Sequence, residues 1–107
     1  MGTQTPLESS IVKAIVRKLN AIPGCRIKKH HGSMYGAMEV DLYGCCNGRA
    51  VFIEAKQPGK KPTDRQRAEL ESWKAVGAIT GVATSVAEAM EIIAPALCHI
   101  DTERPEP

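Results

Sequence analysis

The sequence predicts an α/β domain: a mixed four-stranded sheet flanked by helices, in the order helix, three strands, helix, strand, helix. Three observations predict it. Apolar residues recur at helical spacing in three separate segments, Asn47-Gly48 joins two apolar runs, and a helical segment divides the third run from the fourth. The Asn-Gly turn makes its own pair antiparallel, whereas an intervening helix lets the next two strands lie parallel.

Each element has its own signal. Thr5 suits the N-cap of the first helix, Pro6 its first position and Glu8 the return arm of a capping box. Val12, Ile15, Leu19 and Ile22 continue it, and Pro23-Gly24 ends it. Residues 26–31 read as a weak, polar first strand, and 32–38, with Gly32 and Gly36, as a loop. The strong strands are 39–44 and 49–56. Thr63 and Gln66 form a second capping box, Leu70, Trp73 and Val76 line that helix, and Gly77 suits its C-terminal cap. Residues 79–84 make the fourth strand. Ser85 and Glu88 cap a last helix with the stripe Val86, Met90, Ile93 and Leu97, which Pro95 kinks or ends.

The bulk properties bound the function. A chain of 107 residues, 43% hydrophobic, suits one domain, expected over 1–100, followed by a disordered tail at 101–107 carrying Asp101, Glu103 and Glu106. No apolar run approaches the ~18 residues of a membrane span, and residues 1–10 are too polar for a signal peptide, so a cytoplasmic address is expected. The net charge of +2 understates the body of the domain, because basic residues gather at 13–18, 26–31 and 56–74, as a phosphate-binding face requires, although an ordinary solvated surface shows the same clusters. Cys25, Cys45, Cys46 and Cys98 contain no CxxC pair and read as reduced, small core residues.

The hairpin carries the chemistry. With a two-residue turn, Cys46 faces Arg49, Tyr43 faces Phe52, Asp41 faces Glu54 and Glu39 faces Lys56. Val51, Ile53 and Ala55 then project to the other face. Two opposed carboxylates, with Cβ atoms roughly 5 Å apart, repel each other unless a cation lies between them. Mg²⁺ prefers oxygen ligands and is commonly held by one or two carboxylates plus a substrate phosphate. Lys56 shares the face of Glu54, where an ammonium can orient water and stabilise phosphate charge. A solvated face with a Glu39–Lys56 ion pair is the competing reading of so short a motif. The turn register, the apolar run at 50–53 and a helix before the site favour the metal.

Val51-Phe52-Ile53-Glu54-Ala55-Lys56, preceded by Val40-Asp41-Leu42, resembles the PD-(D/E)XK nuclease superfamily. Downstream, a basic loop, Thr63-Asp64-Arg65-Gln66, Leu70, Trp73 and Gly77 make the chain similar to the stand-alone virus-type replication-repair nuclease (VRR-Nuc) domain over residues 5–93. The resemblance implies a restriction-endonuclease-like core, with Mg²⁺ or Mn²⁺ held by Asp41, Glu54 and the backbone carbonyl of Ala55. It makes Lys56 the catalytic lysine and adds Glu8, reaching the metal through water, and Gln66. It further implies a DNA endonuclease leaving 5′-phosphate and 3′-hydroxyl ends, a homodimer acting on branched DNA such as Holliday junctions, and a phage or bacterial host cell.

The chain departs from the pattern at Val40, where the family has proline, and this concerns the start of the strand and not the chemistry. Lys60, Lys61 and Arg65 are candidate DNA-backbone contacts, Tyr35 a further contact, and His30 and His31 suit phosphate or solvent better than metal. Two rivals remain: a non-catalytic DNA-binding module of the same fold, and a zinc-stabilised interaction protein using Cys25, His30, His31, Cys45 and Cys46.

Overall fold

The Asn47-Gly48 turn sets the sheet. In a computed structural model, which describes residues 6–30 and 40–98, Asn47 (φ 49°) and Gly48 (φ 87°) both occupy the left-handed region. Those are the type I′ values, whose twist matches that of the flanking strands. The elements are α1 (Glu8–Asn20), β1 (Cys25–Lys29), β2 (Leu42–Cys46), β3 (Arg49–Ala55), α2 (Asp64–Ala75), β4 (Ile79–Ala83) and α3 (Val86–Cys98). The four strands lie in the order β1-β2-β3-β4. β1 and β2, and β2 and β3, pair antiparallel, while β3 and β4, joined through α2, are parallel. The expected mixed sheet flanked by helices is present, and Cys46 faces Arg49 and Tyr43 faces Phe52 as the turn requires.

The faces of the sheet are covered unequally. Ile27, Leu42, Cys46, Val51, Ile53 and Ala55 pack against Ile11, Val12, Ile15 and Leu19 of α1 and against Ala89, Ile93 and Ala96 of α3. The opposite face holds a smaller cluster of Val40, Phe52, Leu70 and Ala78, bordered by Tyr43 and Trp73. There the rings of Phe52 and Trp73 stack with centroids 4.2 Å apart. At Gly44 the β1 backbone comes so close that a Cβ would lie 1.9 Å from the Arg26 carbonyl oxygen. Only glycine fits there.

Several boundaries differ from expectation, each for a physical reason. The N-cap of α1 is Leu7, without a side-chain cap, and Pro6 stands before the helix. The Pro6 carbonyl is instead held by the Gln57 amide at 2.9 Å, so tertiary anchoring replaces the expected capping box. β1 runs from Cys25 to Lys29, starting one residue and ending two residues before the expected bounds, and β2 starts at Leu42. Asp41 stands outside the β2–β3 ladder because its N–H and carboxylate bond to Glu54 and Ala55 in place of ladder bonds. Lys56 and Thr84 likewise fall just beyond their strands.

Val76 is 76% exposed and does not line α2, which ends before it, with Gly77 (φ 103°) turning the chain. α3 continues through Pro95 to Cys98, and Ala89 and Ala96 join Ile93 as its buried residues. Pro95 is exposed. Cys46 is buried and Cys25 half-buried, but Cys45 is exposed and no core residue, because adjacent strand residues face opposite ways. Thr5, His31, Tyr35, Glu39, the loop at 32–38 and the tail at 101–107 lie outside the described residues.

Candidate active site

Glu54 is the penultimate residue of β3, a central strand, and its side chain points to the α2 face. It is 1% exposed, the sole buried charged residue among the described ones. Three neighbours hold it there. The Asp41 backbone N–H donates to Glu54 Oε1 at 3.1 Å, and the Gln66 amide donates to Oε2 at 2.7 Å. Lys56 Nζ stands 3.5 Å from the same Oε2. Asp41 returns the clasp, its Oδ2 accepting the Ala55 N–H at 3.1 Å. No buried side-chain nitrogen or oxygen among the described residues lacks a partner. A buried carboxylate needs that level of satisfaction to persist.

Gln66 explains how α2 is aimed. Its backbone N–H donates to Thr63 Oγ1 (3.1 Å) and its Oε1 accepts the Thr63 N–H (2.9 Å), which completes the predicted capping box. The amide nitrogen that this motif leaves over reaches Glu54. One side chain therefore caps the helix and orients the carboxylate. Lys56 is placed by its own backbone, whose N–H donates to the Ala83 carbonyl at 3.0 Å and extends the parallel pairing one residue past β3.

The electrostatics follow from burial. Desolvation first, then the negative charge of Asp41, push the Glu54 carboxyl up to about 8, while Lys56 pulls the other way. Without a metal ion Glu54 therefore favours its protonated form at neutral pH. A hard divalent ion supplies the missing positive charge, and two acidic groups, Asp41 just before β2 and Glu54 near the end of β3, suit an ion that keeps part of its water shell. The residues present fit such an ion.

The remaining candidates are placed less tightly. Glu8 opens α1, half-buried and in line with buried Val12, Ile15 and Leu19. The Gln57–Pro6 bond brings the start of α1 to the end of the sheet where β3 finishes. Among the described residues, no three of His, Cys, Asp and Glu gather closely enough to share an ion. Lys60 and Lys61 are exposed in the loop after β3, and Arg65 is exposed in the first turn of α2. Cys45 and Cys46 point to opposite faces of the sheet, a geometry that rules them out as joint zinc ligands. Sequence reasoning missed the reciprocal Asp41–Ala55 and Asp41–Glu54 bonds, which have no motif. It also missed Gln57, which only its adjacency to Lys56 marked.

No protein-family model matches the sequence, and no curated protein matches it. Among solved structures, a chain described as a VRR_NUC domain matches with a TM-score of 0.65 and 26% identity, covering 81% of this chain and 94% of its own length. This chain has the VRR-Nuc fold, the restriction-endonuclease-like architecture of a nuclease-type DNA-processing domain.

Proposed function

We propose that this domain is a metal-dependent endonuclease that hydrolyses phosphodiester bonds in DNA. The observation that carries the reading is the buried Glu54, set against Asp41 and gripped by Gln66 and Lys56. Burying a carboxylate beside another is unfavourable for the fold alone, so the arrangement is best explained by a ligand of opposite charge. Asp41, Glu54 and the Ala55 carbonyl would hold Mg²⁺ or Mn²⁺. The ion supplies Lewis-acid polarisation of the phosphodiester and lowers the pKa of water.

The chain's own residues do the rest. Gln66 fixes the rotamer of Glu54, and the Ala55 N–H fixes that of Asp41. Both oxygen donors are thereby oriented before substrate arrives. The Lys56 ammonium, 14% exposed at the rim, is within reach of an incoming phosphate and of the water that attacks it. Glu8 belongs to the same end of the sheet and would act through water. Lys60, Lys61 and Arg65 would hold the DNA backbone on the loop side. Selectivity for branched DNA and a homodimeric state are part of the proposal, with residues 1–100 as the nuclease domain.

The test is cleavage of labelled junction, flap and linear DNAs by the wild-type protein and by Glu54→Ala, with Mg²⁺, Mn²⁺ or chelator, alongside the mass in solution. The expected result is metal-dependent nicking, greatest on the junction, that Glu54→Ala lacks. Glu54→Ala cutting with unchanged metal dependence would overturn the assignment. DNA binding without any cutting by the wild type would leave a binding module instead.

A further inference from the structure

The α2 face of the sheet has a second half that the catalytic reading leaves unused. α2 packs over β3 and β4, so among the described residues no helix covers β1 and β2 on this side. Strand alternation places Arg26, Lys28 and His30 on that open half, because Cys25 and Ile27 between them face the α1–α3 core. Lys28 lies opposite Tyr43 and Arg26 opposite Cys45. The His30 N–H donates to the Asp41 carbonyl at 2.7 Å, which extends the same pairing to the acidic pair. Arg26, Lys28, Tyr43, Gly44 and Cys45 line a shallow groove of about 200 Å³.

From Asp41 outward, then, His30 just past β1 and Lys28 and Arg26 on β1 follow one another along one line. Successive same-face residues on a strand are about 6.6 Å apart. That step is comparable to the distance between neighbouring phosphates on an extended nucleic-acid strand. Arg26 and Lys28 are exposed, make no ion pair among the described residues, and face no carboxylate before Asp41 itself. Two cations without an ion-pair partner among the described residues, over a floor that no described helix covers and continuous with the acidic pair, complement a polyanion running along the strand.

We propose that β1 is a phosphate rail, on which Lys28 and Arg26 hold consecutive phosphates of the DNA strand that reaches Asp41 and Glu54. The inference rests on the phosphodiester reading above and adds the direction in which the substrate leaves the site. The Tyr43 ring, in edge contact with His30 at a centroid distance of 6.4 Å, forms the floor beneath the first step.

The test compares wild-type protein with Arg26→Ala/Lys28→Ala and with Lys13→Ala/Arg17→Ala. The latter removes the same charge from exposed positions of α1, on the other side of the sheet. Binding of a fluorescein-labelled DNA junction is measured by anisotropy across a range of salt, with thermal melting to verify folding. The expected result for the rail variant is a salt slope reduced by about 2, at about 0.9 per lost phosphate contact, and affinity at least about tenfold weaker. The α1 variant should change both quantities less. A rail variant no weaker than the α1 variant, with the wild-type salt slope, overturns the rail while leaving the catalytic assignment standing. Wild-type protein that neither binds nor cuts DNA overturns both.

Discussion

The two faces of the sheet contrast in what they bury. On the side of α1 and α3, the described core is aliphatic, with Ile15, Leu19, Leu42, Ile53 and Ile93 fully enclosed. On the side of α2 the cluster is thin, and it borders a carboxylate held out of water beside another acid. The first face has the shape of a stability core. The second bears an unfavourable charge arrangement that a domain of this size tolerates only because the first face is strong. Stability and the proposed chemistry are thus separated by the thickness of one strand, Ile53 on one side and Glu54 on the other.

That separation can be broken experimentally. The largest effect is expected for Asp41→Asn, which keeps an oxygen for the Ala55 N–H but removes the second charge. Cleavage should fall by more than the roughly 10- to 100-fold typical of losing an outer partner of a metal site. Metal-free stability near pH 8 should not fall, and a variant that unfolds more readily there would show that the charge pair supports the fold. Ile15→Ala, on the opposite face, should do the reverse. It should cost about 2–5 kcal/mol in denaturant unfolding while leaving the cleavage rate per folded molecule unchanged.

Acidity sharpens the same contrast. The Glu54 carboxyl is raised in the folded protein, to about 8 from an ordinary 4.5, so the native state holds a proton that the unfolded chain has released between those values. Its contribution to stability is complete below about pH 4.5 and is lost as pH rises through about 8. Unfolding in chelator should therefore show stability declining across that window, with a shallower decline in Asp41→Asn, which lacks one cause of the shift. Added Mg²⁺ should flatten the decline by favouring the ionised pair. A metal-free stability that climbs from pH 5 to pH 8 would contradict the burial argument.

Gln66→Ala removes a helix cap and a Glu54 contact together. It should lower activity by about 10- to 100-fold through a loosened Glu54, and stability by about 0.5–1.5 kcal/mol through the lost hydrogen bonds. Thr63→Ala, which removes the cap and leaves the Glu54 contact, should cost about 1 kcal/mol of stability with a smaller loss of activity. Equal activity losses in the two variants would mean that Gln66 acts only by capping.

Much of the fold was legible because its signals are local. Thr63 and Gln66 announced a capping box and formed one. Gln66 was equally readable as a cap or as a site residue, and the two readings were not exclusive, because the box occupies its Oε1 and backbone N–H and leaves Nε2 over. Leu70, Trp73 and Val76 share a helical spacing, yet periodicity cannot tell that the helix stops before Val76. Thr5 and Pro6 looked like a helix start. A hydrogen bond from Gln57, 51 residues away, anchors Pro6 outside it.

By itself the sequence determined the hairpin register and with it the shared face of Tyr43, Phe52 and Glu54, because a two-residue Asn-Gly turn and the period of a strand depend on nothing distant. The tertiary structure decided the rest. It buried Glu54 under α2, bent the chain at Asp41 so that side chains replace ladder bonds, and left the β1–β2 half of that face without a covering helix among the described residues. Those outcomes depend on where helices dock, and docking is set by contacts between residues far apart in the chain, which no local pattern encodes.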